Sequence, residues 1–370
     1  MCKNDLRLLG LLIGCKLAVA LFFIGGVVCL NLNSSGGFSF GVQWPEFNAW
    51  TVRLSPWDAG YYLQISKYGY NDKSSLCAFY PLWPGLIYAF SNLFHCKQVI
   101  VGLLLSNILS IVGLWLFGKL ILEEYGQKVS RYSLCFLLAF PGAFFFCIPY
   151  TESLFFLLVM LVFHALHKEQ WSVLVVATFL LPLTRAVGIF VLVPLGWFLW
   201  EQRKSIRYWL VLLAPLSGYA TYFGIMYFYT GNALSGFEAQ KAFPHSPSIG
   251  NIFDPVGFWN SFINIHSIFG MRDALLDRLF FLLLLILLPF VWKLNRTWFF
   301  YTLLVGVVPA LTNWFMSYRR YVMVCFPIFI VLALQMQKSR HKGVYWYYIA
   351  LLVLLQIATL ILAVNYRWFG

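Results

Sequence analysis

The sequence predicts an all-α polytopic membrane protein, and three observations carry that reading. The chain is 61% hydrophobic and 20% aromatic, only 11% of it is charged, and its mean hydropathy is +0.77. A water-soluble globule needs more polar surface than this to cover its core. Apolar runs recur along almost all of the 370 residues, many of them about 20 residues long, as a hydrocarbon core of roughly 30 Å asks of a helix. The basic residues that bring the net charge to +13 sit in short loops between those runs. There they orient membrane segments, and they form no continuous basic stripe, so a lipid bilayer and not nucleic acid is the expected partner.

Taken in order, the expected spans are 8–30, 99–121, 132–149, 150–167, 171–184, 186–200, 208–229, 279–293, 297–315, 321–337 and 344–365, about eleven in all. The run 8–30 resembles a signal peptide, but it is too long and no small-residue cleavage site follows, so it reads as a retained first span. One further run, 79–95, is short and broken by Pro81, Pro84 and Gly85. If it lies in the interface, Lys119, Lys128, Arg131, Lys168, Arg203, Lys204, Arg207, Lys293, Arg296, Lys338, Arg340 and Lys342 all share a side with Lys3 and Arg7. If it spans, nearly all of those loops move to the opposite side, which the positive-inside rule disfavours. The expectation is therefore one membrane domain over 1–370, with a cytoplasmic N-terminus and an extracytoplasmic C-terminus. Two segments then face outward: 31–98, a first loop with juxtamembrane helices, and 230–278, a lid loop. The eight cysteines form no CxxC or Cys/His cluster, so a sulfur-based metal site is not expected. Cys77 and Cys96 bracket the 79–95 run; a straight helix would part them by roughly 28 Å, so a disulfide between them needs the chain to fold back.

Against that charge bias the outer turns stand out. The chain holds only 13 Asp and Glu residues, and Asp58 lies in an aromatic stretch, Trp57-Asp58-Ala59-Gly60-Tyr61-Tyr62. A carboxylate in such surroundings is expensive and therefore suspect. The plain alternative is a helix cap, with Ser55 at the N-cap, Pro56 at N1 and Asp58 at N3. Glu152 sits in a tight turn, where a helix dipole alone would favour it. Arg185 would serve equally as a snorkelling side chain, and Arg319-Arg320-Tyr321 as a contact for anionic lipid. The outer segment carrying Phe237-Glu238-Ala239-Gln240-Lys241 suits a lid or a simple interfacial anchor. His164 and His167 lack further ligands and read as headgroup contacts.

Together these residues give two carboxylates and three guanidinium groups on one face of an apolar bundle. Transfer of a sugar from a lipid phosphate needs that inventory: a base to take the acceptor's hydroxyl proton, and cations to hold the departing phosphate. Arg bonds two phosphate oxygens at once. Asp58 is the candidate base, and Glu152 a second acid that orients the acceptor or positions Arg185. Arg185, Arg319 and Arg320 are candidates for the phosphate. Trp57, Tyr61 and Tyr62 would line the sugar site, and Gln240, Lys241 and Tyr321 complete the expected substrate-binding set. No cofactor is otherwise called for, and a divalent metal shared by the two acids stays open.

Several stretches resemble the PIG-V-type family, the GPI second-mannose transferases and their prokaryotic relatives within the GT-C glycosyltransferases. They are Trp57-Asp58 with Ile65 and Gly69-Tyr70, then Phe79-Tyr80-Pro81-Leu82-Trp83-Pro84, Tyr150-Thr151-Glu152-Ser153-Leu154-Phe155, Leu183-Thr184-Arg185-Ala186-Val187-Gly188, and Arg320-Tyr321-Val322 with Phe326-Pro327. The family commonly has Arg before Trp-Asp; here it is Pro56. The resemblance implies a GT-C fold with 79–95 as a juxtamembrane helix, and an inverting transferase with Asp58 as base. It also implies a polyprenyl-phosphate sugar donor, usually of mannose, and a glycolipid or glycan acceptor on the extracytoplasmic side. Two other classes remain. A flippase for lipid-linked sugars would spread charges through the bilayer depth, and a noncatalytic subunit of a glycan assembly complex would tolerate loss of Asp58.

Overall fold

A computed structural model describes residues 3–29, 54–70, 74–241, 249–270, 273–313 and 315–364. The part of the first outer loop at 30–53 and the part of the lid segment at 242–248 lie outside the described residues. Helix α1 (Lys3–Cys29) is followed by two short helices, α2 (Asp58–Tyr68) and α3 (Leu82–Phe94). α3 has 13 residues, roughly 20 Å at 1.5 Å each, too short to cross a bilayer core. Among the described residues five helical stretches are long and apolar enough to cross a membrane: Leu8–Gly26, Gln98–Ala139, Ile206–Thr230, Leu275–Leu294 and Lys342–Ala363. Shorter apolar helices pack among them. The chain is an all-helical, multi-pass membrane protein.

The longest stretch, α4 (Gln98–Ala139), is two arms. Gly126 has φ 82, a conformation that side chains other than glycine's rarely tolerate. The Ser130 hydroxyl donates to the Gly118 carbonyl at 2.7 Å, whereas a straight helix would part those residues by roughly 18 Å. The chain therefore turns back on itself at Gly126.

The expected span 132–149 is interrupted. The helix ends at Ala139, because Phe140 precedes Pro141 and adopts an extended conformation (φ −62, ψ 133), as a residue before proline tends to do. A 3-10 turn, Pro141–Phe146, follows, and the backbone stays non-α and buried to Tyr150. Irregular backbone deep in an apolar bundle needs donors for its carbonyls. Phe146 O accepts from Lys16 Nζ (2.7 Å), Ser110 Oγ (3.2 Å) and Ser153 Oγ (3.3 Å). Cys147 O accepts from Asn107 Nδ2 (3.2 Å), and Pro149 O from Trp83 Nε1 (3.1 Å). Four elements thus pin one inserted turn.

Helix α5 (Glu152–Lys168) leads away from that turn to α6 (Trp171–Leu180). Two 3-10 turns, Leu181–Leu183 and Ala186–Val191, precede α7 (Leu192–Glu201), and a short helical stretch leads into α8 (Leu213–Thr230). Next come α9 (Ser235–Lys241), α10 (Pro255–Ile263), α11 (Leu275–Leu294) and α12 (Arg296–Leu311). Asp254 caps α10 by accepting from Gly257 N, and Asn295 caps α12 by accepting from Trp298 N, each at 2.9 Å. The expected span 321–337 divides into α13 (Arg319–Val324) and α14 (Pro327–Lys338), the backbone leaving the helix at Cys325 (ψ 62) and Pro327 taking the first position of the second helix, and α15 (Lys342–Val364) closes the fold.

The segments between spans are docked. Gln240 Nε2 donates to Ala78 O at 3.3 Å, joining α9 to the 3-10 turn Ser74–Ala78. Phe258 and Phe262 of α10 pack on Phe281 and Phe315. Cys77 and Cys96 are both free thiols, Cys77 buried and Cys96 exposed.

Candidate active site

Four charged side chains from four distant elements meet. Arg320, second residue of α13, donates from Nη1 to Asp58 Oδ2 at 2.6 Å and from Nε to Glu152 Oε1. Arg185 donates from Nη1 to the same Glu152 oxygen at 2.7 Å. Asp58 and Glu152 are each the first residue of a helix, and Arg185 is the extended residue between the two 3-10 turns. Two arginines thus converge on one wholly buried carboxylate, and one of them reaches on to a second carboxylate that keeps 25% of its side chain exposed.

Asp58 is not the capping residue at N3 that its spacing from Ser55 suggests. The helix begins at Asp58 itself, the N-cap position is Trp57, and no side chain caps it. Trp57 has φ 47, a conformation that costs a bulky residue about 1–3 kcal/mol and persists only where its surroundings impose it. Tyr150 does so: its hydroxyl donates to Pro56 O (3.1 Å) and accepts from Asp58 N–H (3.2 Å). The strained corner turns the carboxylate away from the backbone and toward Arg320.

The guanidinium groups lie on aromatic faces. Arg320 sits 4.6 Å from the centroid of Tyr150 and 5.2 Å from that of Phe145; Arg185 sits 4.8 Å from Tyr321 and 5.8 Å from Phe155. Such stacking holds a buried planar cation in place. Burial works against the charge on Arg320, but Glu152 and Asp58 more than offset it and push its pKa above the usual arginine range, so it stays cationic. Arg185 is therefore no snorkelling side chain; it is an internal partner of Glu152. The second oxygen of Glu152, Oε2, is buried without a hydrogen-bond partner among the described residues.

The aromatic residues expected around the sugar line the same corner. Tyr62 packs edge-on to Tyr150 (6.4 Å), and Tyr61 stacks on Phe79 (4.6 Å). Burial pushes the Tyr62 phenol above its ordinary range, so it stays protonated. Arg319 turns away from this cluster toward Asp277, Gln240 is engaged with the Ala78 carbonyl, and Lys241 is exposed. No group of three or more His, Cys, Asp or Glu side chains gathers to hold a metal among the described residues.

A family model described as Mannosyltransferase (PIG-V) matches residues 6–236, more than half of the chain. The chain belongs to the PIG-V mannosyltransferase family. Membership makes it a membrane glycosyltransferase, acting with a sugar donor and a glycolipid acceptor. The family match spans Asp58, Glu152 and Arg185, while Arg320 lies beyond it and joins the cluster through the fold. A search of the curated proteins finds no match.

Sequence reasoning passed over Tyr150 and Phe145 as site residues, and Asp277 and Lys16 altogether. Lys16 carried a usable signal, a lysine in the middle of an apolar span. The role of Tyr150 carried none, since its hydroxyl acts on residues 92 and 94 positions earlier.

Proposed function

We propose that the chain transfers a hexose, mannose by its family, from a polyprenyl-phosphate donor to a hydroxyl of a glycolipid or glycan on the extracytoplasmic side, with inversion. Asp58 takes the proton of the acceptor hydroxyl. The acceptor oxygen then bonds to the anomeric carbon from the face opposite the phosphate, and the bond from that carbon to the phosphate oxygen breaks. The electron pair leaves with the polyprenyl phosphate, whose charge Arg320 and Arg185 stabilise. No general acid is required, because phosphate leaves as an anion.

One observation carries this reading: the partly exposed Asp58 carboxylate is tied by a single guanidinium to a sealed Glu152–Arg185 pair. Glu152 then acts as the fixed anion that aligns two arginines, and Asp58 as the reachable one. Arg320 already supplies the positive charge that bridges the two acids, so the cluster is electrostatically complete without a shared metal.

The test uses the full chain in lipid with radiolabelled polyprenyl-phosphate mannose and a glycolipid extract. Asp58→Asn is expected to lose at least ~10²-fold in transfer, the scale of removing a general base. Undiminished transfer by that variant would demote Asp58 to a structural residue.

A further inference from the structure

A second buried ion pair stands apart from the Asp58–Arg320 cluster. Asp277, in the first turn of α11, and Arg319, which opens α13, are 0% and 1% exposed. Arg319 Nε and its backbone N–H both donate to the same oxygen, Asp277 Oδ1, at 2.9 and 3.3 Å. Arginine–carboxylate pairs frequently meet fork to fork, with two parallel bonds. Here the pairing is side-on. Arg319 Nη1 and Nη2 and Asp277 Oδ2 are all buried without a hydrogen-bond partner among the described residues.

The neighbouring arginine shows what a finished structural contact looks like in the same place. Arg278 donates from Nε, Nη1 and Nη2 to the carbonyls of Phe262, Ala274 and Ser261 at 3.3, 3.2 and 2.6 Å, and lies 4.6 Å from the Phe315 centroid. It staples the end of α10 to α11. Arg319 has no such closure; the Phe269 ring lies over its guanidinium at 5.7 Å.

We propose that the Nη edge of Arg319 and Oδ2 of Asp277, beneath Phe269, form a second subsite that binds a neutral sugar through adjacent hydroxyl groups. The unfilled atoms are donors beside an acceptor, and a hydroxyl both gives and accepts a hydrogen bond. A phosphate would satisfy the donors but would meet the Asp277 oxygen as a like charge. The pair is itself charge-balanced, which favours an uncharged ligand, and the half-buried Phe269 ring adds apolar surface beside it. This deepens the transferase reading, on which it rests only in assigning the bound sugar to the acceptor.

Saturation-transfer NMR on the full chain in lipid nanodiscs, with methyl α-mannoside as the probe, tests the site without catalysis. The sugar signal is expected in wild type and equally in Asp58→Asn. It should fall roughly tenfold, the factor that about 1.4 kcal/mol represents, in Arg319→Lys and in Asp277→Asn. Phe269→Ala leaves the ion pair intact and should weaken binding in a chain that folds normally. An undiminished signal in all three variants, no signal from wild type, or displacement of the sugar by inorganic phosphate would each overturn the assignment. Undiminished transfer by Asp58→Asn with the sugar signal retained would instead sink the catalytic reading alone.

Discussion

Asp58 and Glu152 accept from the same arginine yet stand in different physical situations, and the difference is measurable. Glu152 is sealed, and both Arg185 and Arg320 point at one of its oxygens. Removing its charge leaves two guanidinium groups facing each other without the anion between them. Glu152→Gln should therefore cost about 3–5 kcal/mol, the scale of breaking a buried ion pair, seen as a large drop in the thermal midpoint in detergent. Asp58 is a quarter exposed and has one ionic partner, so Asp58→Asn should cost no more than about 1–2 kcal/mol. Activity should order them differently, with both variants inactive but only one unstable. Similar midpoints for the two would show that the cluster does not divide into a sealed half and a reachable half. Both acids were legible in the sequence because carboxylates are scarce, Asp58 sits among aromatic residues and Glu152 breaks the charge bias in a short turn. Their shared partner was legible only as one of two adjacent arginines. Nothing in Arg319-Arg320 tells which will face the acids, because that depends on how the short helix α13 is set down.

Among elements, those that follow hydropathy alone are where the sequence placed them; α5, α11 and α15 all coincide with apolar runs. The departures cluster at prolines. Pro141, which holds Phe140 extended, and Pro327, which opens the next helix after the break at Cys325, both stand where an apolar run would continue, since hydropathy reports burial and says nothing of backbone continuity. The inserted turn at 140–150 was invisible for that reason, although Lys16, Ser110 and Asn107, which support it, were conspicuous polar residues in apolar segments. A second device of this kind joins the outer segments. Gly236 of α9 packs so closely that a Cβ there would lie 1.6 Å from the Tyr222 hydroxyl and 2.9 Å from Cys77 O. Tyr222 cannot easily yield, because its ring stacks on Tyr80 at 4.5 Å. Gly236→Ala should therefore lift α9 from the turn that carries Cys77, a thiol now 2% exposed. In a Cys96→Ser background, maleimide should label Cys77 several-fold faster in Gly236→Ala than in its parent. An equal rate would mean that α9 is held by contacts other than this one.

At the scale of the whole molecule, the two ends of the bundle differ in charge. Glu123 pairs with Lys168 (2.7 Å), Glu169 with Lys204 (2.8 Å) and Glu201 with Arg296 (3.8 Å), so four loops far apart in sequence meet at one end. The ring contact of Tyr132 with Trp346 brings the start of α15 there too. Helix α5 runs from Glu152, in the Asp58–Arg320 cluster, to Lys168, in this basic end, a separation of roughly 24 Å along its axis. The loops that the positive-inside rule sorts to one side by counting lysines and arginines are thus gathered at one end by the fold, with no membrane assumed. If that rule holds here, the basic end is cytoplasmic and the Asp58 cluster opens to the other side. Two positions decide it. Cys96 is exposed and lies just ahead of α4, whose first arm runs from the cluster toward Glu123. Lys128 is exposed at the basic end. In intact cells, an impermeant maleimide should label a variant whose one cysteine is Cys96, and should label Lys128→Cys in a cysteine-free background only after lysis. The reverse pattern would turn the molecule over and put the reaction on the side where the basic loops were counted. The Asp58 chemistry would then stand, but the polyprenyl-phosphate donor would have to reach it from the cytoplasmic leaflet.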